Sequence, residues 1–224
     1  MRVLVTGAEG FIGSHVVEVL LESGLEVNAF VLYNFNSDTG WLREIRSTAG
    51  GKKTVHFGDV RDPQTLEAAM KGCDAVIHLA ALIGIPYSYE AVRSYIDVNV
   101  TGTLNVLQTA LRLELPQVVV ASTSEVYGSA QTVPIREDHP LNPQSPYAAS
   151  KVAADSLALS FWRSFGLRVK VLRPFNTFGP RQSPRAVIPT IIRQIQSGNA
   201  TVHLGRTDTT RDFTYVKDTA RAFR

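Results

Sequence analysis

Arg2-Val3-Leu4-Val5-Thr6 runs directly into Gly7-Ala8-Glu9-Gly10-Phe11-Ile12-Gly13, and then into the apolar-periodic Val16, Val17, Val19 and Leu20. The order is β-branched strand, tight glycine turn, helix. Glycines at 7, 10 and 13 let the backbone turn sharply, approach a pyrophosphate and pack the helix on the sheet. The helix amino end adds free N–H groups and a positive dipole. Glycines also punctuate ordinary turns, but here the strand before and the helix after supply the context that a dinucleotide site needs.

Beyond this unit, apolar strands alternate with helical stretches. Asp62-Pro63 before Leu66-Glu67-Ala68-Ala69-Met70, with Gly72 after, supplies an N-cap, a proline at the first helical position and a glycine stop, so a helix is expected over 63–71. Strands are expected at Val27–Val31, 75–79, 117–122 and Val169–Leu172, and helices at 97–113 and from Tyr147 to about Phe165. This alternation predicts an α/β fold: a Rossmann-like, doubly wound parallel sheet with right-handed crossovers and helices on both faces. The stretch 128–146, with four prolines, is long for a simple connection and is expected to close over a substrate.

Two short motifs suggest chemistry. Ser122-Thr123-Ser124-Glu125 follows the apolar run Val118-Val119-Val120-Ala121, whose carboxyl end should open onto the ligand crevice of a parallel sheet. Tyr147-Ala148-Ala149-Ser150-Lys151 sets Tyr147 and Lys151 at i and i+4, on one helix face. A positive charge beside a phenol favours the phenolate, so Lys151 is expected to lower the Tyr147 pKa and make it a general base. Thr123 would orient a substrate alcohol toward it. The same spacing arises by chance on amphipathic helices; the strand-end hydroxyls and the glycine turn favour the catalytic reading.

With 44% apolar and 19% charged residues, the chain can bury an ordinary core. No apolar run approaches the roughly 20 residues that span a bilayer, and the chain enters a strand at once, so neither membrane span nor leader is expected and the cytoplasm is inferred. A net charge of +3 with scattered arginines does not suggest nucleic-acid binding. The lone Cys73 is expected to pack as a small hydrophobe, and His78, in an apolar strand, as a satisfied core histidine; no metal site is expected.

The order T-G-x-x-G-x-x-G, Gly58-Asp59-Val60, Leu79-Ala80-Ala81, Asn99, S-T-S-E, Y-A-A-S-K and Arg173-Pro174-Phe175-Asn176 resembles the extended short-chain dehydrogenase/reductases that modify nucleotide sugars. Within them, Ala121–Gly128 and Phe175–Arg181 look most like sugar 4,6-dehydratases and UDP-glucuronate decarboxylases. Ala81–Tyr89 and Arg185–Thr190 look like the N-acetylglucosamine 4,6-dehydratases of nonulosonic acid pathways. The resemblance implies a dinucleotide domain over 1–173 and a partial nucleotide-sugar region over 174–224, since relatives continue further. It also implies a nucleotide-diphosphate sugar as substrate. Helices 97–113 and 147–165 would form a homodimer interface.

The resemblance further implies roles. Tyr147 would take the proton of the sugar 4-hydroxyl, Lys151 would stabilise the phenolate and bond the nicotinamide ribose, and Glu125 would remove the C5 proton so that the C6 hydroxyl leaves as water. Ser124 stands where many dTDP-glucose dehydratases carry an acidic aspartate. A 4-epimerase needs no base at C5, a decarboxylase uses the same 4-ketone, and a non-catalytic dinucleotide sensor would keep the fold alone. A merely structural Glu125 would cap a turn or pair with arginine.

The implied cofactor contacts are Gly7, Gly10, Phe11, Ile12, Gly13, Asn34, Asp59, Val60, Leu79, Ala80, Ala81, Tyr147, Lys151 and Pro174. The strand ending Val31-Leu32-Tyr33-Asn34 lacks the acidic residue of NAD-preferring relatives and also the arginine expected for a 2′-phosphate; NAD is favoured, with NADP open. Asp59 reads equally as an ordinary turn residue. Ser124, Asn176, Arg181, Arg185 and Arg211 are the expected substrate contacts, with Thr210-Arg211-Asp212-Phe213 resembling a pyrophosphate-binding segment.

Overall fold

A computed structural model describes residues 1–45, 51–198, 200–205 and 207–224. Six parallel strands, β1 (Arg2–Thr6), β2 (Glu26–Leu32), β3 (Lys53–Gly58), β4 (Ala75–His78), β5 (Val118–Ala121) and β6 (Val169–Leu172), lie in the order β3-β2-β1-β4-β5-β6. The order reverses between β2 and β4, on either side of β1, which opens a crevice at the strands' carboxyl ends. The expected doubly wound Rossmann-like sheet is what forms.

Strand alternation sorts the core onto two faces. Val3 and Val5 of β1 pack with Val16, Val17 and Leu20 of α1 (Phe11–Glu22), while Leu4 points the other way, to Leu66 and Met70 of α2 (Pro63–Met70). α2 starts as its sequence demands: Asp62 accepts a bond from the Gln64 N–H and Pro63 takes the first position, where its missing N–H costs nothing. The second face is completed by α5 (Gly102–Arg112) and α6 (Pro146–Phe165), through Val106, Leu107, Ala158 and Phe161. The cap on α6 is Ser145, and Gly166 in the left-handed region ends it.

The helix expected over 97–113 is a longer run. α3 (Ile85–Glu90) precedes α4 (Val92–Tyr95), which passes through a π-helical stretch at Ile96–Thr101 into α5. The π turn presents Asn99 inward, where Oδ1 accepts from Leu82 N and Nδ2 donates to Leu82 O and Ser150 Oγ. Beyond β6, a two-stranded parallel pair, β7 (Asn176–Phe178) with β8 (Phe213–Tyr215), flanks α7 (Val187–Gln196); α8 (Val216–Ala222) follows β8, and its Ala220 joins the first core face with Phe223.

Cys73 is buried, its thiol pushed up to about 11 chiefly by desolvation. His78 is the expected core histidine, its ring nitrogens bonded to the Thr6 and Thr103 hydroxyls; burial brings it down to about 3. Among the described residues no helix is long and apolar enough to cross a membrane, and no cluster of three His, Cys, Asp or Glu side chains is arranged to hold a metal.

Candidate active site

The carboxyl ends of β1, β4 and β5 open onto a cavity of about 780 Å³. Every residue of the expected dinucleotide set except Asn34 lines it, together with Thr123 and Glu125. The glycines earn this position sterically. At Gly7, φ is +65° and an added Cβ would stand 2.9 Å from the Ala80 backbone; at Gly13 it would stand 2.1 Å from the Gly7 carbonyl oxygen. The amino end of α1 has no side-chain cap and no acidic residue in its first turn, so Phe11, Ile12 and Gly13 bring to the cavity wall N–H groups with no bonding partner among the described residues. A backbone cradle at a helix amino end fits a pyrophosphate.

Asn34 does something else. Its Oδ1 accepts from Asp38 N at 2.8 Å and its Nδ2 donates to the Asp38 carbonyl at 2.9 Å, closing the loop after β2. Asp59 does line the cavity, but it also grips Arg61 through backbone and guanidinium, and that pairing holds its carboxyl below the usual range. Asp59 thus shapes the turn at Arg61 while standing at the cavity edge.

Catalytic candidates gather where β5 meets α6. Thr123, in extended backbone, caps the 3-10 turn Ser124–Tyr127 by accepting from Glu125 N, and it lines the same cavity as the Tyr147 phenol. Glu125 is half-buried and lines the cavity; no group among the described residues hydrogen-bonds its carboxylate. Tyr147 is 7% exposed and packs edge-on against Tyr95, whose own hydroxyl is tied to the Gly84 carbonyl.

The expected lowering of the Tyr147 pKa is corrected by the structure. Burial pushes the phenol up to about 12; the nearby Thr123 hydroxyl works the other way, and the Glu125, Tyr95 and Asp155 charges add to the rise. Lys151 is turned to the main chain instead: Nζ donates to the Ala121 carbonyl at 2.6 Å. Desolvation brings this ammonium down to about 8, against the pull of Asp155.

Asp155 is a residue the sequence reading missed. It is buried one turn beyond Lys151, with Oδ2 accepting from Ser122 Oγ at 2.9 Å and from Arg173 Nε at 3.0 Å; burial raises its carboxyl. Arg173 also donates to the Tyr127 hydroxyl at 3.0 Å. The i, i+4, i+8 spacing of Tyr147, Lys151 and Asp155 was the available signal.

None of the five expected substrate contacts lines the cavity. Arg181 makes a two-pronged pair with Glu18 of α1, at 2.7 and 2.9 Å. Arg185 and Arg211 are exposed, Arg211 bonding the adjacent Thr210 carbonyl. Asn176 sits in β7, its N–H on the Asp212 carbonyl, and the Ser124 N–H bonds the Pro174 carbonyl. From that side the cavity is lined instead by Phe175, Thr177, Gln182 and Ser183, and Gln182 carries a buried Oε1 with no bonding partner among the described residues. The 128–146 stretch does not close over the cavity either. It is drawn back along the 3-10 turn, with Asn142 N on the Val126 carbonyl and the His139 ring edge-on to Tyr127.

Sheet order, glycine cradle and the Thr123–Tyr147–Lys151 grouping define an extended short-chain dehydrogenase/reductase of the NAD-dependent epimerase/dehydratase kind. The GDP-mannose 4,6 dehydratase family model matches residues 4–224, and the chain belongs to that family. A dTDP-glucose 4,6-dehydratase of Actinoplanes sp. is 36% identical over 226 residues, covering 99% of this chain and 71% of the relative. The crystal structure of a dTDP-glucose 4,6-dehydratase from Streptomyces venezuelae with NAD bound superposes with a TM-score of 0.88 at 35% identity, over 99% of this chain and 70% of that one. A UDP-N-acetylglucosamine 4-epimerase from Methanobrevibacter ruminantium, in complex with UDP-N-acetylmuramic acid, gives 0.88 at 36% identity, over 99% and 71%. The protein is thus an enzyme of the nucleotide-sugar 4,6-dehydratase and 4-epimerase group.

Proposed function

We propose that the protein is a nucleotide-sugar 4,6-dehydratase that holds NAD and acts on a UDP- or GDP-linked N-acetylglucosamine-type sugar. The carrying observation is the Glu125 carboxylate, unengaged among the described residues, in the same cavity as Thr123 and Tyr147. NAD is supported by the fit of the Gly7–Gly13 cradle to a pyrophosphate and by its presence in the Streptomyces relative. Held there, the nicotinamide would supply the hydride acceptor for oxidation at the sugar C4 and the donor for reduction at C6.

The chain's own residues do the rest. Thr123 orients the 4-hydroxyl and Tyr147 takes its proton; a phenol held up to about 12 is a strong base once ionised, so the Lys151 charge is needed to make that form accessible. The resulting 4-ketone acidifies C5–H. Glu125 withdraws that proton and passes it to the departing C6 hydroxyl, since Ser124 is a poor acid and does not line the cavity; once C6 is reduced, a proton from water, delivered through Glu125, completes C5. Residues 1–173 serve the dinucleotide and 174–224 contribute to the sugar-nucleotide side. Exposed Trp162 and Phe165 on α6, and Val92 and Ile96 on the preceding helical run, are apolar surface that a homodimer would cover.

A 4-epimerase is the second reading, favoured by the likeness to the Methanobrevibacter enzyme. Product mass separates the two. The protein is incubated in turn with UDP-N-acetylglucosamine, GDP-mannose, UDP-glucuronate and UDP-glucose. Loss of about 18 mass units, one water, supports the dehydratase; unchanged mass with inverted C4 identifies an epimerase. Loss of about 44, one carbon dioxide, identifies a decarboxylase, and inert protein a sensor.

A further inference from the structure

The acidic residue absent from the end of β2 has a counterpart elsewhere in the fold. Glu9, in the glycine turn immediately before Gly10, sends its side chain to the carboxyl end of β2, where Oε1 accepts the Leu32 N–H at 2.9 Å. Its main chain is pinned from the other side, with Trp41 N on the Glu9 carbonyl at 3.2 Å and Gly40 so close that a Cβ there would stand 2.8 Å from the same oxygen. The second carboxylate oxygen, Oε2, is buried and has no bonding partner among the described residues, and Glu9 lines the cavity. A buried carboxylate oxygen left unmatched is costly and calls for a donor. Arg61, which lines the same cavity, is already gripped by Asp59 at 2.5 Å.

We infer that Glu9 selects a dinucleotide with a free 2′-hydroxyl on its adenosine ribose, accepting a ribose hydroxyl at Oε2 and repelling a 2′-phosphate. This rests on the dinucleotide reading of the cavity given above. A carboxylate fixed at the end of β2 supplies what a strand-end acid supplies in other folds of this type, from the turn rather than from the strand. Discrimination by an unfavourable charge is the more robust half of the effect, because a 2′-phosphate brought to Oε2 meets a like charge while Arg61 is already committed to Asp59.

The test is binding, not turnover. NADH and NADPH are titrated by fluorescence into the wild-type protein and Glu9→Gln, with ADP-ribose and its 2′-phospho form titrated by calorimetry. The wild type is expected to favour NADH and ADP-ribose by at least about tenfold, and Glu9→Gln, which keeps an acceptor for Leu32 N–H, to narrow that ratio to within about threefold. A wild-type preference for the 2′-phosphorylated ligands, or an unchanged ratio in a folded Glu9→Gln, overturns the role of Glu9 while leaving the dinucleotide site standing. Wild-type protein that binds none of the four overturns the site itself. Should Glu9→Gln fail to fold, the wild-type comparison of the two ADP-ribose forms still decides.

Discussion

The Lys151 ammonium sits 2.6 Å from the Ala121 carbonyl oxygen, tying the second turn of α6 to the carboxyl end of β5. The charge that must stabilise a Tyr147 phenolate is therefore buried and held by main chain, and desolvation brings its pKa down to about 8. The unfolded chain binds this proton up to roughly pH 10.4, the folded chain only to about 8. Between those values unfolding takes up a proton, so stability rises with pH across the window and is lost again as pH falls through about 8. Chemical denaturation of the wild type against Lys151→Met should show this gain, on the order of 3 kcal/mol at most, in the wild type alone. Parallel slopes for the two proteins would contradict a buried, depressed Lys151.

Glu125 is separated in role from Tyr147 by the atoms each can reach, and a variant should separate them in time. In Glu125→Gln, oxidation at C4 depends only on Thr123, Tyr147 and Lys151, so the reduced nicotinamide should accumulate and be visible by absorbance. Loss of water should fall by at least about 10²-fold. Equal loss of both steps would assign Glu125 to positioning instead of to proton removal at C5.

Much of this arrangement is legible in the chain because local chemistry and global fold agree. β1, the glycine turn and α1 declare themselves by a change of period, and α2 by Asp62, Pro63 and Gly72. What escapes is of two kinds. Prolines conceal α3 and α7: Pro86 and Pro189 break the apolar pattern, yet both stand in a first turn, where proline is tolerated. Pairings made only in three dimensions are the other kind. Nothing local ties Arg181 to Glu18, and nothing in the Tyr147–Lys151 spacing says that Tyr147 would be buried and Lys151 turned to the Ala121 carbonyl. The π turn that aims Asn99 is equally silent, since one inserted residue leaves the helical pattern almost unchanged.

Arg181 is placed by its pair with Glu18 as a clamp between the carboxyl-terminal region and α1. Its backbone is in the left-handed region at φ +70°, and the Pro180 carbonyl beside it meets the His15 ring at 3.1 Å. Arg181→Gln should lower stability by about 1–2 kcal/mol, read from a denaturation midpoint, and leave KM for the nucleotide sugar within about twofold. A large rise in KM at unchanged stability would restore the substrate role that its sequence context suggests.

The three glycines of the turn differ in how tightly each is enclosed, and substitution should rank them accordingly. At Gly13 an added Cβ would lie 2.1 Å from the Gly7 carbonyl oxygen and 2.9 Å from its carbon, both backbone atoms that cannot swing aside. At Gly10 the nearest atom is that same oxygen at 3.3 Å, a distance that a shift of a few tenths of an ångström relieves. Gly13→Ala should therefore push α1 off the turn, costing about 2–3 kcal/mol and weakening NADH binding more than tenfold. Gly10→Ala has the gentler steric demand but the same proximity to a pyrophosphate, so it should melt close to wild type while still losing affinity. Fluorescence titration with NADH beside thermal melts distinguishes them. Equal stability in both variants would mean that the helix amino end is not held against the turn as tightly as these distances require.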